Sequence, residues 1–198
     1  MRSWLKAGIA AGTAFSVVGI AFVVVSLFTD ISRTTWVFLD NAKGAVGFGF
    51  CGFAGFLIGR RTNRAGFSAA AGALGGLLAG ITVPVSMYVL AYGFVDEVRQ
   101  YPFEYYDYLS SGASSVQAFL LSPSGHATVR GTSLGLVPIV VVWAVTLGAA
   151  IGYLGGRIGR RWFGAASATT RPNRPLQPTS GAGKSSVLRS TIASAARG

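Results

Sequence analysis

Four stretches of this chain, residues 7–29, 44–59, 65–95 and 131–156, contain no charged side chain. A helix crossing the hydrocarbon core of a bilayer needs about 20 mostly apolar residues, because each residue advances only about 1.5 Å through a core about 30 Å thick. The first, third and fourth stretches meet that length. The second is short, but becomes an ordinary span once Asn41 and Ala42 are added or Lys43 extends its ammonium to the interface. The pattern predicts an all-α polytopic membrane protein with spans over residues 6–28, 42–59, 67–93 and 132–156.

Composition narrows the alternatives. Only 12% of the 198 residues are charged and 51% are hydrophobic. That excludes an ordinary soluble domain, which carries about twice as many charges, and a wholly disordered chain, which needs low hydrophobicity. With one cysteine and one histidine the chain can form neither an intramolecular disulfide nor a closed zinc site. No cofactor and no metal are expected. The basic start, Arg2 and Lys6, is compatible with a signal peptide, but the apolar run exceeds the core of about 7–15 residues such peptides use. No small-x-small cleavage site follows Phe28 either, so the first span is expected to be retained.

A net charge of +11 would suggest nucleic acid in a soluble protein, but here its distribution describes topology, and no nucleic-acid partner is expected. Arg2 and Lys6 precede the first span, and Arg60, Arg61 and Arg64 separate the second from the third. Arg157, Arg160, Arg161, Arg171, Arg174, Lys184, Arg189 and Arg197 follow the fourth. The other side has only Arg33, Lys43, Arg99 and Arg130, with every acid in the chain. Basic residues in short loops mark the cytoplasmic side, so a multi-pass protein of the cell membrane with both termini in the cytoplasm is expected.

Each span also repeats small residues at intervals of four. They are Gly8, Gly12 and Ser16; Gly47, Cys51, Gly55 and Gly59; Ser68, Gly72, Gly76 and Gly80; and Ala144, Gly148, Gly152 and Gly156. Residues four apart stack on one helix face, so each series forms a groove that another backbone can enter. The expected packing is a glycine zipper within one bundle, with assembly into a homo-oligomer or with a membrane-protein partner as the alternative use of the same faces. Phe50 and Phe53 project away from the Gly55–Gly59 groove, whereas Phe48 projects into it and partly blocks it. Pro84 removes the hydrogen bond to the Gly80 carbonyl and predicts a kink there. The matching ends Ile58-Gly59-Arg60-Arg61 and Ile158-Gly159-Arg160-Arg161 raise a duplication of helical hairpins, although positive-inside sorting alone produces such ends.

Between the third and fourth spans, residues 96–130 form the long outer loop. Tyr88, Tyr92, Tyr101, Tyr105, Tyr106 and Tyr108 are expected to form an aromatic belt and lip. Residues 114–121 read as a short helix laying Val116, Phe119 and Leu120 on the membrane surface. The first outer loop carries Asp30, Arg33, Asp40 and Lys43 around Trp36. After residue 164 the composition turns to Ser, Thr, Ala, Gly and Arg, with Pro172, Pro175 and Pro178, which predicts a disordered basic cytoplasmic tail over 165–198. Its residues 174–181 resemble read-through tails of bacterial reading frames, which implies a bacterial source.

No catalytic constellation stands out. Gly181-Ala182-Gly183-Lys184-Ser185 matches the end of a phosphate-binding loop, but Pro178 stands where the motif needs glycine, and no buried strand precedes it. His126 lies in a polar turn with no orienting acid near in sequence, and Cys51 sits inside an apolar span as a small packing residue. The spans offer hydroxyls rather than the ionisable groups that coupled carriers use. The expectation is a membrane protein without catalytic activity, an accessory or structural component of a bacterial inner membrane embedded in its lipid bilayer. The alternative is a passive conduit for a small solute.

Overall fold

Helix α1 (Ser3–Phe28) buries a stripe through Gly8, Ala11, Gly12, Phe15, Gly19, Phe22 and Leu27, the spacing of one face of a 3.6-residue helix. A four-residue turn leads to α2 (Arg33–Arg61), where Ser32 sits extended and its hydroxyl accepts from the Thr35 amide at 3.2 Å. The Thr62 amide closes α2 onto the Ile58 carbonyl at 2.8 Å, and α3 (Ala65–Gly93) follows after a short link. The computed structural model describes residues 3–62, 64–100 and 105–169; among them there is no strand.

Next come a 3₁₀ turn (Val95–Glu97) and three short helices, α4 (Tyr105–Ser111), α5 (Val116–Leu121) and α6 (Pro123–Arg130). A π turn (Gly131–Gly135) joins α6 to α7 (Val137–Thr169). Four helical segments among the described residues are long and apolar enough to cross a membrane: α1, α2, α3, and the run Pro123–Trp162. The molecule is thus a multi-pass, all-helical membrane protein.

Several boundaries differ from the sequence expectation. The second span was expected near 42–59, but α2 starts at Arg33, so Arg33, Asp40 and Lys43 stand on a helix rather than in a loop. The charges stand seven and three residues apart, spacings that a helix places on one edge; Lys43 donates to Asp40 at 2.6 Å across the three-residue step. The fourth span was expected over 132–156; the apolar helical run there is Pro123–Trp162, broken by the π turn, and α7 itself continues to Thr169, into the segment read as tail. The rest of that tail lies outside the described residues. Pro84 lies inside α3, which runs from Ala65 to Gly93 as one helix.

Contacts fix the arrangement. Gly8 meets Ala71 and Leu74, Gly12 meets Gly75 and Leu78, and Gly19 meets Val83, so α1 and α3 run parallel with a constant register. Gly55 meets Gly152 and Gly59 meets Gly156, so α2 and α7 are parallel too. Gly72 against Gly148 and Gly76 against Ala144 make α3 and α7 antiparallel, and Gly47 against Phe15 with Lys43 against Phe22 does the same for α1 and α2. Two parallel pairs therefore stack head to tail. One end carries Arg60, Arg61, Arg157, Arg160 and Arg161 and is called the basic end below.

The opposite end is capped. Residues 96–130 were expected to be an outer loop, with Val116, Phe119 and Leu120 of one short helix lying on the membrane surface. That helix is α5, but Phe119 and Leu120 are buried with Val98 and Val129 against Leu27 of α1 and Met87 and Ala91 of α3. Burial exceeds what a membrane surface could give because the chain folds back over the bundle. The Arg99 amide donates to the Leu27 carbonyl at 2.8 Å, Gln100 Nε2 to the Thr29 carbonyl at 2.7 Å, and Gln117 Nε2 to the Val98 carbonyl at 2.6 Å. Ser122 caps α6 by accepting from the Gly125 amide at 3.0 Å, with Pro123 in the first turn where its missing N–H costs nothing. Tyr108 packs edge-on against Phe119, while Tyr88 and Tyr92 surround His126; the side chains of Tyr101, Tyr105 and Tyr106 lie outside the described residues.

Candidate functional site

The glycines singled out by their spacing are distributed over several contacts. Gly72, Gly76 and Gly80 of α3 face Gly148, Gly152, Ala144 and Val141 of α7. Gly55 and Gly59 of α2 face Gly152 and Gly156 of the same helix, and Gly8 and Gly12 of α1 face the opposite side of α3. A methyl added to Gly152 would come within 2.6 Å of the Ser68 carbonyl oxygen and 3.0 Å of the Gly72 Cα. Added to Gly80 it would stand 3.2 Å from the Ala144 Cβ, an easier fit.

Counting in fours alone misses a second stripe. Gly155 meets Gly52 and Phe56, and Gly159 meets Phe56 and Arg60, so α7 reads α2 through positions 152, 155, 156 and 159. The signal was in the sequence as spacings of three and four together, the pattern of a helix touching two neighbours at once. On α2, Phe48 stands edge-on to Phe15 at 5.3 Å and leaves the α7 contact open; Phe53 is 60% exposed and Phe50 fills the space beside α1. The two Ile-Gly-Arg-Arg ends are not equivalent in packing, since Ile58 is 2% exposed and Ile158 is 50% exposed.

Above the Gly55–Gly152 contact, towards the capped end, α2 and α7 separate. Helix α2 follows α1, holding the Lys43 ammonium 4.3 Å from the Phe22 ring centroid and Trp36 6.2 Å from Phe22. Helix α7 follows α3 instead, through Val141 and Ala144 on Gly80. Phe48 of α2 and Trp143 and Leu147 of α7 line the space between them. The result is a lateral crevice of about 850 Å³, floored by α1 and α3 and walled by α2 and α7.

Most of its lining is apolar: Phe15 and Val23 from α1, Ala79, Val83, Pro84 and Met87 from α3, and Leu136, Ile139 and Val140 from the π turn and α7. Polar groups gather at the capped end, where Asp40, Asn41 and Lys43 face Thr132 and Ser133 across the opening. Thr132 donates to the Thr128 carbonyl at 3.0 Å, and Ser133 is buried. A trough that is apolar below and charged at one rim suits an amphiphile. Pro84 and Gly80 lie in its floor, so the proline singled out by sequence belongs to the site although it bonds nothing there.

Compared with known protein families, curated proteins and solved structures, the chain matches none.

Two other clusters carry less. His126 Nε2 lies 3.3 Å from the Tyr88 hydroxyl with its ring 4.8 Å from that of Tyr92; the sequence placed it in a polar turn, whereas it stands exposed on α6. Cys51 is buried between α2 and α3, its sulfur beside Gly75. Among the described residues, no three His, Cys, Asp or Glu side chains come together as metal ligands would.

Proposed function

We propose that this chain is an accessory or structural component of a bacterial inner membrane, without catalytic activity, built as a glycine-zipper bundle with both termini in the cytoplasm. The observation supporting this reading is the basic half of the bundle. There α7 lies against α2 and α3 at once through Gly152 and Gly156, with backbone on backbone. Such contacts suit a rigid scaffold, because close helix approach gains dispersion energy and leaves few side-chain rotamers to order.

A passive conduit is the second reading, favoured by the crevice. Its lining ends at the level of Phe15, Phe48 and Leu147, above the Gly55–Gly152 contact, so a path across a single copy would require α2 and α7 to part. Reconstituted into liposomes, the protein is expected to leave the release of small neutral solutes at the rate of empty vesicles. Release that rises with protein density would replace the accessory reading with the conduit.

Orientation is tested separately. A reporter active only outside the cytoplasm should be active when fused after Ser114, in the cap, and silent when fused after Thr62 or after Thr169. Activity at Thr62 would reverse the topology.

A further inference from the structure

The crevice between α2 and α7 combines an apolar trough with opposite charges at a single rim. On α2 it extends from Phe48 to Asp40, about 12 Å of helix, and on the α7 side from Leu147 to Thr132, about 22 Å. Those heights bracket half of a hydrocarbon core about 30 Å thick. The trough is therefore as deep as one leaflet, and it opens sideways into that leaflet rather than across it.

The rim defines what can sit above an acyl chain. Lys43 and Asp40 stand 2.6 Å apart, with the Asp40 side chain 37% exposed and the Lys43 side chain 18% exposed. Lys43 offers donors to a phosphate, while Asp40 offers an acceptor to a cation beside it. A headgroup carrying a phosphate and a primary ammonium matches both. A quaternary ammonium has no N–H to give Asp40, and a head that is only anionic sets its charge against that carboxylate.

We infer that the crevice is a binding site for one zwitterionic phospholipid bearing a primary ammonium, its acyl chain between α2 and α7 and its headgroup at Asp40 and Lys43. Lipid here does more than solvate the bundle. It fills the place that a third helix contact would otherwise occupy and keeps α2 and α7 apart. Only the choice of leaflet rests on the orientation proposed above. Retention of lipid in detergent is read without it, and reporter fusions test orientation alone, so either can fail without the other.

The test is native mass spectrometry of the full chain extracted from nanodiscs containing equal parts phosphatidylethanolamine, phosphatidylcholine and phosphatidylglycerol. One phosphatidylethanolamine per chain is expected to survive activation that strips the other two, with a preference of about tenfold, the equivalent of one hydrogen bond to a charged group. Gly44 lies in the crevice wall with nothing within 4 Å of an added Cβ, so the ring of Gly44→Phe is expected to occupy the trough and abolish retention. Asp40→Asn should keep one lipid but erase the preference over phosphatidylcholine. Equal retention of all three lipids by the parent chain, or an unchanged lipid in Gly44→Phe, would overturn the assignment. So would a dimer in the parent that Gly44→Phe splits, since a second copy's helix would then be the occupant. If Gly44→Phe does not fold, the headgroup order in Asp40→Asn decides.

Discussion

Gly152→Leu is expected to lower the thermal midpoint of unfolding in detergent sharply, while Gly49→Leu leaves it unchanged or raises it. Both replace a helical glycine by a residue with better helix propensity, so the backbone term favours each by about 0.5–1 kcal/mol. They differ in what the new side chain meets. At Gly49 there is nothing within 4 Å of an added Cβ. At Gly152 that carbon alone would stand 2.6 Å from the Ser68 carbonyl oxygen, and the remaining leucine atoms would have to enter α3. The obstacle is backbone, which cannot rotate aside as a side chain can, and the Gly152 carbonyl is itself pressed against Gly55 of α2. Relief on one side therefore tightens the other. Overpacking a well-filled interior costs about 1–3 kcal/mol, and a site clamped by two helices belongs at the upper end. The size of the protein in detergent should be read together with the midpoint. Lost stability at constant size places the glycine face inside one bundle, whereas loss of an oligomer with an intact fold would assign it to assembly. A midpoint equal to that of Gly49→Leu would mean that α3 and α7 are not held together there.

The four membrane helices were legible because hydrocarbon excludes charge, and the exclusion leaves uncharged runs of nearly the right length. The same rule hid the start of α2. Arg33, Asp40 and Lys43 interrupt the run, yet Asp40 and Lys43 neutralise each other on one helix edge and Lys43 rests over Phe22, so the helix continues where the apolar pattern stops. Four-residue counting treats a helix as having one partner. Gly155 and Gly159 show that α7 has two, and a second stripe becomes visible only when steps of three are read with steps of four. The crevice was not legible at all. It lies where α2 follows α1 while α7 follows α3, a divergence that the spacing on no single helix encodes. Pro84 was singled out for its effect on α3, and its place in the crevice floor followed from that divergence rather than from proline chemistry.

Phe119→Ala should detach the cap while leaving the helices of the basic half protected. Phe119 is 2% exposed and packs with Val98, Leu120 and Val129 over the ends of α1 and α3. Outside the hydrocarbon the alternative to this contact is water, so the ordinary hydrophobic cost applies, about 3–5 kcal/mol for truncating a buried phenylalanine. Besides this core, Arg99 and Gln100 bond the segment to the end of α1, and the Tyr92 hydroxyl donates to the Leu120 carbonyl at 3.4 Å. Arg99 and Asp30 pair at 3.2 Å, but both are largely exposed and such pairs contribute little. The cap then opens locally, at a lower free energy than the bundle unfolds. Hydrogen exchange should show it at the Arg99 amide, which donates to Leu27 in the intact cap and would lose its protection, while amides around Gly76 and Gly152 keep theirs. Leu121→Ala, at an exposed position on the same short helix, should leave both unchanged. Protection at Arg99 that survives Phe119→Ala would show that hydrogen bonds rather than this core hold the cap. Exchange that rises equally at Gly152 would show that cap and bundle unfold as one unit, because Leu27, Met87 and Ala91 belong to both and would transmit the loss into α1 and α3.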